Sequence, residues 1–198
     1  MNNTLYLASG SPRRRELLAQ LGFELIRLYG DIDETPYAGE DACDYVERMA
    51  REKNDAALAQ WHTEHAHEPP HPVLSADTTV ALQGKILGKP ADDAEAEAML
   101  HALSGSTHQV LSAVCVYWQG RQHVCVQCSE VTFADLSDED IRRYIASGEP
   151  HDKAGAYGIQ GLGGLFVTHL SGSFTGVMGL PLFETAQLLR QCGICLPT

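Results

Sequence analysis

Three arginines, Arg13, Arg14 and Arg15, stand side by side in the segment LASGSPRRRELLAQLG (residues 7–22) of a 198-residue chain whose formal net charge is -12. Ahead of them Gly10 supplies a turn, Ser11 an N-cap and Pro12 a first helical position, so the segment reads as strand, tight turn and helix. The free N–H groups at a helix N-terminus, with its partial positive charge, make such a junction a seat for phosphate. Arginines have the wrong sign for that end of a helix, and a bound polyanion would compensate them through bidentate contacts. The local pattern equally permits Ser11 to cap the helix while the arginines stay in solvent. No Gly-Lys-Ser/Thr follows, so this is not a Walker loop.

Carboxylates and amines suited to phosphoryl chemistry recur downstream. SADTTV places Asp77 near the end of a central strand, where α/β sheets commonly set ligands. Asp77 there would take a proton from water or hold a divalent cation, with Thr78 and Thr79 positioning it by hydrogen bonds. The plainer alternative is a strand-end aspartate capping the next turn. Glu34, with Asp31 and Asp33, forms an oxygen-only set suited to Mg2+ or Mn2+. Lys53, Lys89 and Lys153 stand in separate predicted loops or helix ends; singly each resembles a surface lysine, and with the arginines they would line a polyphosphate channel. DKAGAYGIQG is too glycine-rich for a regular element and offers backbone N–H donors to a ligand. Within it the Gln160 amide either bonds its own backbone or donates to one carbonyl while accepting from an imide N–H, the pattern of uracil and thymine.

Two Cys-x-x-Cys pairs, Cys125/Cys128 and Cys192/Cys195, match zinc-ribbon spacing. The first lies in a strand-like run, where residues three apart point to opposite faces, which argues against a shared metal. His62, His65, His67 and His71 resemble a metal tract, but their proline-broken setting reads as a solvated loop.

The elements that must position these residues alternate. Strands are expected at TLYLA, FELIRL and PVLSADTTVAL, with a helix from Ala42 to Trp61 between the last two. QGKILGKP reads as a turn before the helix DDAEAEAMLHALSG. Two β-rich runs then meet at Gln119-Gly120 as a hairpin, and SDEDIRRYIASGEP shows a capping box from Ser137 to Asp140 and a stop at Gly148. LFVTHL is a last strand, and Pro181 opens a last helix. The pattern is α/β with a mixed sheet.

With 44% hydrophobic and 20% charged residues the chain has the composition of a folded globular protein. Its length allows one domain or two small lobes around a cleft, and one compact unit is the reading adopted. An excess of 26 acidic over 14 basic residues excludes a general nucleic acid binder, so any anion site must be local. The N-terminus lacks the pattern of a secretory signal and no apolar run suits a membrane span. The expected address is therefore the cytoplasm, with the six cysteines reduced.

With SGSPRR, SADTTV, LGKP and DKAGAYGIQG in that order, the chain resembles the Maf nucleotide pyrophosphatase family over nearly its whole length. The resemblance implies a single Maf-like domain over residues 1–198, with a Maf/ITPase-like fold: an elongated mixed β-sheet flanked by helices, two lobes around a central cleft, and assembly as a homodimer. It implies a hydrolase dependent on a divalent metal, Mg2+ or Mn2+, that cleaves nucleoside triphosphates between the α and β phosphates. Thr78 after Asp77, together with GIQG, resembles the branch acting on dTTP and UTP, with modified pyrimidine nucleotides as further candidates. Carried onto this chain, the proton acceptor falls on Asp77, with Lys53 and Lys89 beside it as catalytic residues. Substrate choice falls on Arg13, Thr78 and Gln160, the phosphate side on Ser9 and Arg14, and the metal side on Glu34 with Asp77. Arg15 and the His-rich insert at 62–71 depart from the pattern without touching a motif. An aspartate with an ordinary pKa of about 3.9 is a weak base, so the metal would have to acidify the attacking water. The alternative is a nucleotide-sensing regulator of cell division with vestigial catalysis. A phosphate-binding transferase would need a second acceptor site, for which no motif is present.

Overall fold

The structure, a computed structural model, describes residues 3–196. Along the chain the elements are β1 (Thr4–Ala8), α1 (Pro12–Gln20), β2 (Glu24–Arg27), α2 (Ala42–Glu64), β3 (Val73–Leu82), β4 (Lys85–Leu87), α3 (Asp93–Leu103), β5 (Thr107–Trp118), β6 (Arg121–Phe133), α4 (Asp138–Ala146), β7 (Val167–Ser171), α5 (Phe174–Val177) and α6 (Leu182–Gln191), with short 3-10 turns between Glu149 and Phe166. The strands form one seven-stranded sheet in the order β2-β1-β3-β5-β6-β7, with β4 also paired to β3. β1 runs parallel to β2 and β3, and every other pairing is antiparallel, as the mixed α/β reading expects.

Gln119 and Gly120 both have positive φ, 51° and 77°, the conformation a two-residue hairpin requires to match strand twist. Gln83 and Gly84 repeat it at 50° and 78°, so QGKILGKP is more than a turn: it returns as β4.

The two faces of the sheet are covered differently. On one, α2 packs Val46 and Ala50 against Ala81, Leu111, Ala113 and Cys115, the odd-numbered residues of β3 and β5. On the other, the even-numbered residues divide between two cores. Leu74, Ala76, Val114 and Val116 meet α1 and α6, whereas Val80 and Val110 meet α3, α4 and the 3-10 turns. Between these cores runs a polar seam, where Thr78 Oγ1 lies 2.8 Å from Ser112 Oγ, and Ser112 donates to the Gly176 carbonyl. That seam divides the molecule into two lobes sharing the long strands.

β3 is supported on one edge along its length by β5, but its other edge is interrupted. β1 pairs only with Val73 to Ser75, and β4 only with Val80 to Leu82. Among the described strand pairings Ala76 to Thr79 therefore have no neighbour on that edge, and the sheet has a gap there.

Three sequence readings are corrected. α2 runs on to Glu64, past the expected Trp61. The histidine tract is not merely solvated: His65 stacks on Trp61 at 3.8 Å, His67 meets the same ring edge-on, and His71 lies against Tyr6. Trp61 Nε1 donates to the His67 carbonyl, so the tract folds over the indole as an aromatic cover. Asp77 is mid-strand; it resembles a strand-end residue only because its parallel neighbour β1 has already stopped. Cys125 packs on the α6 face of β6 while Val124 and Val126 face α2, so strand alternation sets Cys128 on the face opposite Cys125. Among the described residues no group of three or more His, Cys, Asp or Glu is arranged to hold a metal.

His108, fully buried on β5, bonds Tyr157 Oη through Nε2 at 2.8 Å and meets Phe133 edge-on. Burial pushes its pKa down from 6.5 to about 4. The unfolded chain binds this proton as pH falls below 6.5 while the folded chain does not until about 4, so stability is full above that window and falls through it. We expect a loss on the order of 3 kcal/mol across it, absent in His108→Gln, by urea denaturation; parallel pH profiles for the two proteins would exclude His108 as the cause.

Candidate active site

The gap in the sheet opens into a cleft of about 620 Å³, which reaches β3 from both faces. On the α2 face stands Asp77. α2 is fixed beneath it by Asn54, whose Nδ2 donates to the Val73 carbonyl and to Ser75 Oγ, while Ser75 donates to the Ala50 carbonyl. That registry sets Lys53, in the middle of the helix and not at a helix end, with its Nζ 2.6 Å from Asp77 Oδ1. The same ammonium lies 2.6 Å from Glu34 Oε1, and Lys89 Nζ closes on Glu34 Oε2 at 3.1 Å.

Glu34 comes from the loop between β2 and α2, which α2 itself holds down. Tyr45 Oη donates to the Glu34 carbonyl, Arg48 donates to the Thr35 carbonyl and grips Glu40, and its guanidinium stacks 3.8 Å from the Tyr37 ring centroid. The loop lies so close to the helix that a Cβ on Gly30 would fall 2.7 Å from the Ala57 amide nitrogen. Partial burial pushes the Glu34 carboxyl up, but the Lys53 and Lys89 ammoniums outweigh it and hold its pKa at about 2. Of its acidic neighbours Asp31 lines the cleft, whereas Asp33 accepts from the Thr35 amide outside it.

On the opposite face stands Thr78. Neither it nor Thr79 bonds Asp77, contrary to expectation, because successive side chains of a strand point to opposite faces and Thr79, on the Asp77 side, is buried. Thr78 Oγ1 instead accepts from Arg14 at 3.2 Å. Arg14 also donates to the Gly179 carbonyl at 2.8 Å and to Ser9 Oγ at 3.1 Å, so its guanidinium joins α1, β3 and the loop before α6. Ser11 is the N-cap residue and Pro12 follows it, but the Ser11 side chain makes no capping bond. Arg13 lines the cleft with Asp152 at 4.0 Å, while Arg15 is exposed and outside it.

Gln160 lines the cleft and is exposed, with no hydrogen bond of its own among the described residues, so it is not tied to its own backbone. The glycine-rich loop around it differs from expectation. The amides of Leu162 and Gly163 are taken by the Glu149 carboxylate, at 2.9 and 3.1 Å, instead of standing free for a ligand. Lys153 lines the cleft but is held by the Glu149 carbonyl and Asp152.

The structure thus brings Ser9, Arg13, Arg14, Glu34, Lys53, Asp77, Thr78, Lys89 and Gln160 to one cleft. Sequence reasoning missed Arg27 and Tyr29, which also line it, with the guanidinium 4.6 Å from the ring centroid. Their signal was positional, since Arg27 ends β2, a strand parallel to β1, and Tyr29 lies just beyond it, at the same end of the sheet as the turn after β1.

An α/β protein whose interrupted sheet gathers six basic side chains around two lysine-bridged carboxylates is, by class, one that handles a polyanion. A family model described as "Maf-like protein" matches residues 4–192, and the chain belongs to the Maf family. A "dTTP/UTP pyrophosphatase" of Pasteurella multocida is 55% identical over 191 residues, covering 96% of each chain. A "Nucleoside triphosphate pyrophosphatase" of Haemophilus ducreyi is 55% identical over 194 residues, 98% of each. A "dTTP/UTP pyrophosphatase" of Chromobacterium violaceum is 54% identical, over 98% of this chain and 96% of that one. Among solved structures the Ham1 protein of Staphylococcus aureus superposes with a TM-score of 0.46 at 17% identity, over 67% of this chain and 72% of that one. No helix among the described residues is long and apolar enough to cross a membrane.

If Lys53 is the cation that keeps Glu34 ionised, Lys53→Met will raise the Glu34 titration from about 2 toward the ordinary glutamate range, read by carboxyl-carbon NMR. A titration still at about 2 would assign the effect to Lys89 alone.

Proposed function

We propose that this protein hydrolyses nucleoside triphosphates to the monophosphate and pyrophosphate, with dTTP and UTP as its substrates. The observation behind the proposal is the convergence of Glu34 and Asp77 on Lys53 Nζ, at 2.6 Å each, in the same cleft as the unpartnered Gln160 amide. The activities for which the half-identical relatives are named support it.

The donor set suits a divalent cation of the Mg2+ or Mn2+ kind, which typically binds one or two carboxylates and completes its shell with water and substrate phosphates. Glu34 and Asp77 would hold it. Such a cation, when bound, neutralises phosphate charge and lowers the pKa of water. The remaining work falls to the chain. Asp77 accepts the proton of the attacking water as a new P–O bond forms and the bridge between the α and β phosphates breaks, releasing pyrophosphate. Lys53, Lys89 and Arg13 face the charge that builds on the phosphoryl and leaving oxygens, where electrostatic stabilisation usually contributes most to the rate. Ser9 and Arg14 fix the turn on which the phosphates rest.

Because Asp77 and Thr78 point to opposite faces of β3, the nucleotide lies across the gap in the sheet: its reacting phosphate beside Asp77 and Lys53, its remaining phosphates along the Ser9–Arg14 turn and its base toward Thr78 and Gln160. There the Gln160 amide pairs with the carbonyl and imide N–H that uracil and thymine share.

Pyrophosphate release from dTTP, UTP, CTP and GTP, with Mg2+, Mn2+ or chelator, tests this reading. We expect metal-dependent release from dTTP and UTP, reduced by about 10³-fold in Asp77→Asn with the melting temperature retained. Release from none of the four would overturn the proposed reaction; undiminished release by Asp77→Asn would remove the assigned base.

A further inference from the structure

Gln160 sits at the tip of a turn whose position is set from outside the cleft. The Gly161 amide donates to the Gly158 carbonyl at 3.2 Å, which makes Ile159 and Gln160 the central residues of the turn. Ile159 packs against the α3/α4 core, and Gln160 is left facing the cleft. Both ends of the turn then meet one pair of side chains. At its start, the Gly158 amide donates to Tyr144 Oη at 3.2 Å. Past its end, the Leu162 and Gly163 amides donate to Glu149, and Tyr144 Oη donates to the same carboxylate at 2.9 Å, closing the ring.

The fit around Glu149 is close. A Cβ on Gly161, the residue after Gln160, would fall 2.2 Å from Glu149 Oε2, and one on Gly163 would fall 2.8 Å from Tyr144 Oη. The loop is therefore wrapped on a carboxylate supplied by the protein, as phosphate-binding loops are wrapped on a ligand. A carboxylate accepting backbone N–H bonds is a strong, directional anchor, and Glu149 has its carboxyl held below the usual range: burial raises it, and the Gly163, Leu162 and Tyr144 donors outweigh that.

We propose that Glu149, paired with Tyr144, is a positioning residue for substrate choice: it fixes the turn that presents Gln160 and so sets the discrimination between imide-bearing bases and cytosine. The inference rests on the base-reading role given to Gln160 above. A mispositioned amide leaves its own and the base's polar groups unpaired, which penalises the correct base and not the wrong one.

The test is the ratio of kcat/KM for UTP to that for CTP in Glu149→Gln, Tyr144→Phe and Gln160→Ala, and in the double variants with Gln160→Ala. Glu149→Gln keeps the shape but puts an amide NH2 against a backbone N–H; Tyr144→Phe removes one hydroxyl and keeps the ring against Phe166. We expect the ratio to fall about tenfold in either variant, with no further fall when either is added to Gln160→Ala. Faster hydrogen exchange at residues 158–164 in Glu149→Gln should accompany the fall. If Gln160→Ala lowers the ratio while Glu149→Gln and Tyr144→Phe leave it alone, this inference alone is overturned. An equal loss of activity on both nucleotides would also overturn it, reducing Glu149 to a residue of stability. If Gln160→Ala itself leaves the ratio unchanged, the base-reading role fails and the inference falls with it.

Discussion

β3 is central to the sheet, yet for Ala76 to Thr79 it has a neighbour on one edge only, because β1 ends at Ala8, opposite Ser75, and β4 begins pairing at Val80. An interior strand with an open edge exposes backbone groups and both faces at once, which sheets otherwise avoid. Here the exposure is what lets two consecutive residues, Asp77 and Thr78, reach one cleft from opposite sides. The arrangement depends on that interruption: α2 brings Lys53 to one side, α1 brings Arg14 to the other, and the Gln83-Gly84 hairpin ends the gap by returning β4.

The cations of the cleft are held by different means. Lys53 and Lys89 are set by ion pairs to a loop that Arg48 and Tyr45 fasten to α2. Arg14 is set by neutral acceptors on three separate segments, so it acts as a strut tying the start of α1 to β3 and to the loop before α6 as well as a charge. Of the three arginines that stand together in the sequence, two line the cleft, one of them also committed to structure, and the third is in solvent. Helical geometry separates them, since consecutive residues on a helix point about 100° apart.

What was legible in the sequence is what short-range chemistry decides. The strand, turn and helix around SGSPRR, the hairpin at Gln119-Gly120 and the capping box at Ser137 all follow from neighbouring residues. β4 reads only as a turn: Gln83-Gly84 repeats the later hairpin dipeptide, but the three residues of the strand are too short to show alternation. The gap in the sheet was not legible, because it is set by where two separate strands stop. The cover over Trp61 was hidden because histidine spacing suggests metal before it suggests ring stacking. Glu149 was hidden for a different reason: its partners are backbone amides and one tyrosine, and backbone amides have no letter in a sequence.

The cleft of this acidic protein is lined by Arg13, Arg14, Arg27, Lys53, Lys89 and Lys153 against Asp31, Glu34, Asp77 and Asp152. Most of those cations already have an internal counter-ion, so an incoming polyanion exchanges partners instead of finding bare charge. The surplus of two positive charges is smaller than the charge of a triphosphate. Binding therefore inverts the sign of the cleft unless a cation arrives with the nucleotide, which makes the metal complex, and not the free triphosphate, the electrostatically matched guest.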